Sequence, residues 1–373
     1  MVRTNNKIIF VAPRMHTNEY GISQFFLEKG FDLEFHVNTI GKTEIHKHIK
    51  PTLFKASIIS SMIKFFFGNG RGDLGFLFPS FFKYFKKVKN KKPFLVFIKN
   101  PMRVFSIYAI IIFRIKGCKI ILYSQSSFHS WSKFKWFFAK LLVHSTDSIW
   151  ISPILNSDQE YPVRFHYLPF VVENDFPNKA LSTNKFKLMM IGKYKSDRKN
   201  HKLFIDLIYL LSRKYNIHAD IIGETECVDS RKKLKALQDY SKSLGTENLI
   251  SFHENIPFTD IKKYYSSNHI YILPSSNEPA AISILEAMSF GLISFCSDTC
   301  GTKVYLERFF PDLIFKSDSL SDLRDKIEPL LESKSLLKLY KKLTLECKSQ
   351  FNKSQYDSKL NSLIYRYWKM SLD

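Results

Sequence analysis

Short apolar runs rich in β-branched and aromatic residues alternate with longer stretches of helical periodicity along almost the whole chain. This alternation limits the fold more than any other feature. Residues 7–12, 31–38, 93–98, 119–124 and 148–152 read as strands, and 21–30 as a helix between the first two. Most of these strands are apolar throughout, as strands covered on both faces are. A chain that runs strand, helix, strand builds a parallel sheet with helices on both sides. The rhythm restarts after a polar stretch containing Pro177, with strands at 187–192, 219–223, 249–252, 269–273 and 292–296 and helices at 200–214 and 231–245 between them. The sequence therefore predicts an α/β protein of two doubly wound domains in series, 1–172 and 185–350, joined by a linker at 173–184. A final helix at 351–373 carries Leu360, Leu363, Ile364 and Trp368 at helical spacing. A length of 373 residues is ample for two such cores.

Charge adds a second constraint. There are 56 Lys and Arg against 34 Asp and Glu, a net charge of +22. That bias points to an acidic partner: nucleic acid, anionic lipid or a phosphorylated substrate. It is concentrated, because residues 1–145 hold 24 basic and 6 acidic residues and so supply +18 of the total. The same region interleaves large rings with lysines, at 63–67, 81–87 and 131–138. Three readings stay open for this pattern. The rings insert at a membrane interface while lysines meet anionic headgroups. Alternatively the rings stack on bases and the lysines meet phosphates, although no RNA- or DNA-binding signature accompanies them and no nucleic-acid partner is expected. In the third reading these are ordinary amphipathic helices with Phe inward and Lys outward.

The longest apolar run, 104–113, is closed by Arg114. It reaches about half of the roughly 20 residues of a spanning helix and reads as a buried helix. Residues 1–6 lead straight into the first strand, so no secretory signal is expected. The five cysteines are scattered, with no CxxC pair. They read as buried thiols of a reducing compartment rather than zinc ligands.

Doubly wound sheets bind ligands at the carboxyl ends of their strands, and two sheets facing across a cleft would hold one ligand between them. The most informative strand end is 272–291. A strand stops near Leu273, a loop follows, and a helix is expected to begin near Ala280. Glu278 then stands before the helix, at the mouth of the cleft. Glu286 lies inside it, about 8 Å along the axis from Ala281. The N–H groups of Ala281, Ile282 and Ser283 and the positive end of the helix suit a pyrophosphate. An extended ligand would place a sugar at Glu278, a diphosphate at the N–H groups and a ribose diol at Glu286, since a carboxylate accepts from vicinal hydroxyls. Glu286 is flanked by Ile284, Leu285, Ala287 and Met288. An acid in such a run needs a partner or a ligand, unless it is only the surface charge of an amphipathic helix. In the loop after the first strand of the second domain, Lys193 and Lys199 are placed to grip a diphosphate or form a solvated charge run.

The segment E-P-A-A-I-S-I-L-E-A-M-S-F-G, with Glu278 and Glu286 at its two acidic positions, resembles the E-x7-E signature of the retaining family 4 glycosyltransferases of GT-B fold. Gly192-Lys193 followed by Lys199-Asn-His is similar to that family's Gly-Arg/Lys…Lys segment, and 167–173 to its pre-linker stretch. The resemblance covers about residues 165–305. It implies two Rossmann-like domains facing across a cleft, with the last helix crossing back onto the first. It also implies Glu278 at the donor sugar, Glu286 at the ribose, and Lys193 and Lys199 at the diphosphate of a nucleoside-diphosphate sugar, with no cofactor and no metal. No Asp-x-Asp motif occurs. In the first domain, the family's Gly-Gly loop is reduced to Gly21 and its usual His is replaced by Gln125, with His129 nearby. The implied activity is transfer of a sugar to a glycan, lipid-linked at an anionic membrane surface on the cytoplasmic side, in surface-polysaccharide synthesis. A nucleotide-sugar epimerase of the same fold and a non-catalytic basic scaffold at a membrane are the alternatives.

Overall fold

The computed structural model describes residues 6–40, 49–67, 77–128, 131–154, 160–172, 185–307, 309–333 and 335–372. The expected linker, 173–184, and His129 lie outside the described residues. The chain divides into two compact units, Met1–Val171 with Tyr356–Asp373, and Val172–Gln355.

The first unit runs β1 (Lys7–Arg14), α1 (Tyr20–Glu28), β2 (Asp32–Thr39), β3 (Thr52–Leu53), α2 (Ile58–Phe67), α3 (Phe81–Val88), β4 (Leu95–Lys99), α4 (Val104–Ile115), β5 (Lys119–Tyr123), α5 (Lys133–Ser145), β6 (Ile149–Ser152) and β7 (Phe165–Tyr167). Its sheet has the order β3-β2-β1-β4-β5-β6-β7 and every pairing is parallel. Side chains of β1 point to alternate faces, as strand geometry demands. Ile8 and Phe10 therefore enter one core with Phe25 and Phe26 of α1, while Ile9 and Val11 enter the other with Tyr84, Phe105 and Val143.

The second unit runs β8 (Phe186–Ile191), α6 (His201–Ser212), β9 (Ile217–Gly223), α7 (Val228–Ser243), β10 (Ile250–Glu254), α8 (Phe258–Ser267), β11 (Ile270–Leu273), α9 (Ser283–Ser289), β12 (Ile293–Ser297), β13 (Ile314–Phe315), α10 (Leu320–Glu332) and α11 (Ser335–Gln350). Its parallel sheet has the order β10-β9-β8-β11-β12-β13. The last helix, α12 (Lys353–Trp368), completes the first unit. Tyr356, Leu360, Ile364 and Trp368 join the core behind α1, where the Tyr356 and Phe25 rings meet edge to face at 5.1 Å.

Two expectations need correction, and one open reading is narrowed. First, α9 starts at Ser283, not near Ala280. The preceding loop is tied outward to its neighbours: Ser276 N donates to the Arg198 carbonyl, Asn277 N to Thr299 Oγ1, and Gly301 N to the Glu278 carbonyl. Those ties keep the loop, bent at Ser276 and Asn277 where φ of Asn277 is a left-handed 50°, from joining the helix before Ser283. Second, the run 104–113 is buried on one side only, because Ile107 and Ile111 of α4 are exposed. The open reading is that of the lysine-rich helices, whose rings do not all turn inward. Tyr84 and Val88 of α3 and Ala139 and Val143 of α5 reach the core, while Phe65, Phe82 and Phe134 are 82%, 80% and 72% exposed. The strands β3, β7 and β13 are two or three residues long, too short to carry a periodic signal.

Candidate functional site

In the second unit, strand order reverses between β8 and β11. The loops leaving these two neighbouring strands meet at their carboxyl ends, where doubly wound sheets bind ligands, and Ser276 N donates to the Arg198 carbonyl at 2.9 Å between them. Both sequence motifs sit there. After β8 the chain passes through Gly192 and Lys193 into a 3-10 turn at Asp197–Lys199 and then Asn200, whose φ of 52° is left-handed. After β11 it enters the loop carrying Glu278.

The Lys199 side chain folds back over Gly192. A Cβ at Gly192 would lie 3.0 Å from Lys199 Cβ and Cγ, so glycine leaves room for the lysine stem. Lys199 Nζ then donates to Glu278 Oε2 at 2.5 Å, and Arg198 Nη1 lies 2.6 Å from the same oxygen. Glu278 is only 6% exposed. Burial, the strongest influence on it, pushes its carboxyl up, but Lys199 and Arg198 together outweigh burial and hold the pKa below the usual carboxylate value. The group is thus an ionised, buried carboxylate gripped by two cations.

Lys193 does not join that cluster. Its ammonium pairs with Glu224, just beyond the end of β9. Burial and the neighbouring Glu226 raise the Glu224 carboxyl. Glu286, the fourth residue of α9, is half-buried, only about 4.5 Å along the axis from Ser283. It accepts from the Tyr265 hydroxyl at 3.0 Å. Burial and the charge of Glu286 push that phenol well above its usual pKa, so it stays a donor. Tyr265 supplies the partner that an acid in an apolar run requires. Ala281 and Ile282 are buried, and the Ser283 hydroxyl accepts from the Tyr271 hydroxyl at 2.8 Å.

In the first unit the corresponding reversal falls between β1 and β4. It holds a pair that no sequence spacing announces: the Lys99 ammonium meets the Glu19 carboxylate, both nearly fully buried. Glu19 Oε2 also accepts from His16 N at 2.7 Å, which pins the loop after β1. Gly21 is explained by packing, since a Cβ there would come within 1.9 Å of the Val171 carbonyl oxygen. Gln125 is half-buried and donates to the Tyr123 hydroxyl at 3.2 Å. Arg198, Tyr265, Glu19 and Lys99 were all missed by sequence reasoning. Arg198 alone had a signal, its place beside Lys199.

Residues 171–347 match the sequence family described as Glycosyl transferases group 1. The match covers a little under half of the chain and falls on the second unit. Among solved structures it is similar to a glycosyltransferase from Rickettsia africae, with a TM-score of 0.73 and 11% identity over 99% of this chain and 100% of that one. It is also similar to HepE from Anabaena in complex with UDP and glucose, with a TM-score of 0.72 and 14% identity over 97% of this chain and 100% of that one. The fold is GT-B. Among curated proteins, the human GDP-Man:Man(3)GlcNAc(2)-PP-Dol alpha-1,2-mannosyltransferase is 28% identical over 123 residues, which is 31% of this chain and 25% of that protein. The match spans less than half the length of each of the curated relatives.

Proposed function

We propose that this protein is a retaining, metal-independent glycosyltransferase. It moves a sugar from a nucleoside-diphosphate sugar to a lipid-linked glycan at the inner face of the cytoplasmic membrane, in bacterial surface-polysaccharide synthesis. The observation that carries the reading is the buried Glu278 carboxylate held by Lys199 and Arg198 at the strand reversal of the second unit. An arriving diphosphate competes with Glu278 for these cations. Once they turn to the diphosphate, the Glu278 oxygens are freed to accept from donor-sugar hydroxyls.

The bond between the anomeric carbon and the diphosphate oxygen then breaks. Lys199, Arg198 and Lys193 stabilise the negative charge that builds on the leaving group, the task a metal ion performs elsewhere. The acceptor hydroxyl adds to the same face of the oxocarbenium-like sugar and passes its proton to the departing phosphate oxygen. Glu286, paired with Tyr265 rather than with the cations, is assigned to the ribose and not to a nucleophile. A double displacement needs two carboxylates about 5 Å apart around the anomeric carbon. The lipid-linked acceptor is supported by the basic, ring-rich first unit and by the human relative's name, in which the acceptor is PP-Dol-linked.

The test is a screen of UDP-, GDP- and ADP-sugars, read by release of nucleoside diphosphate. Glu278→Gln is expected to lose most turnover, and Glu286→Ala chiefly to raise KM for the donor. Wild-type turnover in a folded Glu278→Gln protein removes the assignment. Activity is expected to survive EDTA, and loss restored by Mg²⁺ or Mn²⁺ would sink the metal-independent step.

A further inference from the structure

The two inner cores of the first unit leave one set of helices with an apolar face turned outward. α3, α4 and α5 all pack their inner sides into the same core, so they lie on the same side of the sheet. Their outer sides are not polar. On α4, Ile107, Ile111 and Ile115 are exposed at intervals of four, a stripe along the whole helix. On α5, Phe134, Phe138 and Leu141 form a second stripe, and Phe82 of α3 and Phe65 of α2 add further exposed rings. An exposed apolar surface spread over several helices marks an interaction site.

Charge identifies the occupant. Between Glu44 and Asp147 the only acidic residue is Asp73. The lysines beside the rings, including Lys83, Lys86, Lys87, Lys133 and Lys135, are exposed. A second copy docked face to face would set lysine against lysine with no acid to offset them. A bilayer with anionic headgroups matches both components: the rings enter the acyl boundary and the lysine ammoniums remain among the phosphates. Among the described residues no helix is long and apolar enough to cross a membrane.

We propose that the outer faces of α2 to α5 seat the first unit on an anionic lipid bilayer by inserting their exposed rings and isoleucines, with the lysines as the headgroup-binding rim. The purpose assigned to this surface, delivery of the protein to a lipid-linked acceptor, rests on the function proposed above. The surface itself does not depend on that function. Insertion separates this mode from adsorption by lysines alone. At 1 M salt the Debye length is about 3 Å, so headgroup attraction is screened while apolar insertion persists.

The experiment is co-sedimentation of the full chain with phosphatidylcholine vesicles, with and without about 30 mol% phosphatidylglycerol, at low salt and at 1 M NaCl. The wild type is expected to bind the anionic vesicles and to keep a substantial bound fraction at high salt. Phe134→Ser with Phe138→Ser, two exposed positions whose loss leaves the core intact, is expected to weaken binding about tenfold and to abolish the salt-resistant part. Circular dichroism checks that the variant is folded.

Failure to bind, or wild-type binding that disappears at 1 M NaCl, overturns the proposal. So does a dimer in sedimentation velocity that the double substitution returns to monomer, since the face would then belong to a second copy. Release of nucleoside diphosphate from the donor sugars, measured without vesicles, keeps the two readings apart. Turnover without vesicle binding defeats only the docking surface, and vesicle binding without turnover defeats only the transferase.

Discussion

Replacing Lys199 by Met removes one of the two cations from the buried Glu278 carboxylate. Lys199 and Glu278 side chains are 14% and 8% exposed, so solvent screens the pair little. Breaking a buried pair outright costs about 3–5 kcal/mol. Arg198 remains within 2.6 Å, so the expected loss lies lower, about 2–3 kcal/mol at neutral pH, in the range of a charged hydrogen bond. For a unit of this size that is a fall of roughly 5–10 °C in melting temperature.

The pH dependence isolates the charge. In the wild type the Glu278 carboxyl is held below its usual pKa, so its contribution is present above the unfolded carboxylate pKa and is lost as pH falls through the folded value. Without Lys199, burial is opposed by Arg198 alone, so the carboxyl is protonated at higher pH than in the wild type and protonation relieves part of the penalty. The stability gap between variant and wild type is therefore expected to be largest near pH 7 and to narrow as pH falls through the carboxylate range. Chemical denaturation at pH 7 and at about pH 4 measures it. A gap of equal size at both pH values would refute the argument. It would mean that the lost term is the packing of the lysine stem over Gly192, which does not titrate.

Two further outcomes follow from buried groups elsewhere. Lys99→Met strands the Glu19 carboxylate in the first unit and is expected to cost about 3–5 kcal/mol in denaturant unfolding, with a second change, Glu19→Gln, recovering part of it; a loss within experimental error would show that the pair contributes nothing. His201, whose Nε2–H donates to the Gly192 carbonyl at 3.2 Å, is pushed down to about 4 chiefly by burial. The unfolded chain therefore takes up this proton before the folded one, and stability is lost as pH falls from about 6.5 towards 4, by about 3 kcal/mol for a shift of this size. His201→Gln is expected to flatten that part of the pH profile, and an unchanged slope would remove the assignment.

The strand–helix rhythm alone was enough to predict two parallel-sheet α/β units, because the periods of 2 and 3.6 are written locally in side-chain order. The residues Glu278, Glu286, Lys193 and Lys199 were legible for the same reason, as chemistry at predicted strand ends. What they touch was not. Lys199 reaches Glu278 across 79 positions and Lys99 reaches Glu19 across 80, because in each unit the strand order reverses and brings distant loops side by side. Such an order is a property of the whole sheet, and no local spacing encodes it. The same holds for the start of α9, delayed by hydrogen bonds to loops from other strands. It holds too for the rings at 63–67, 81–87 and 131–138. The sequence left open whether they face a core, a base or a lipid, because a helix's outer face is defined only by what the rest of the fold covers. The packing settles that Phe65, Phe82 and Phe134 are left uncovered.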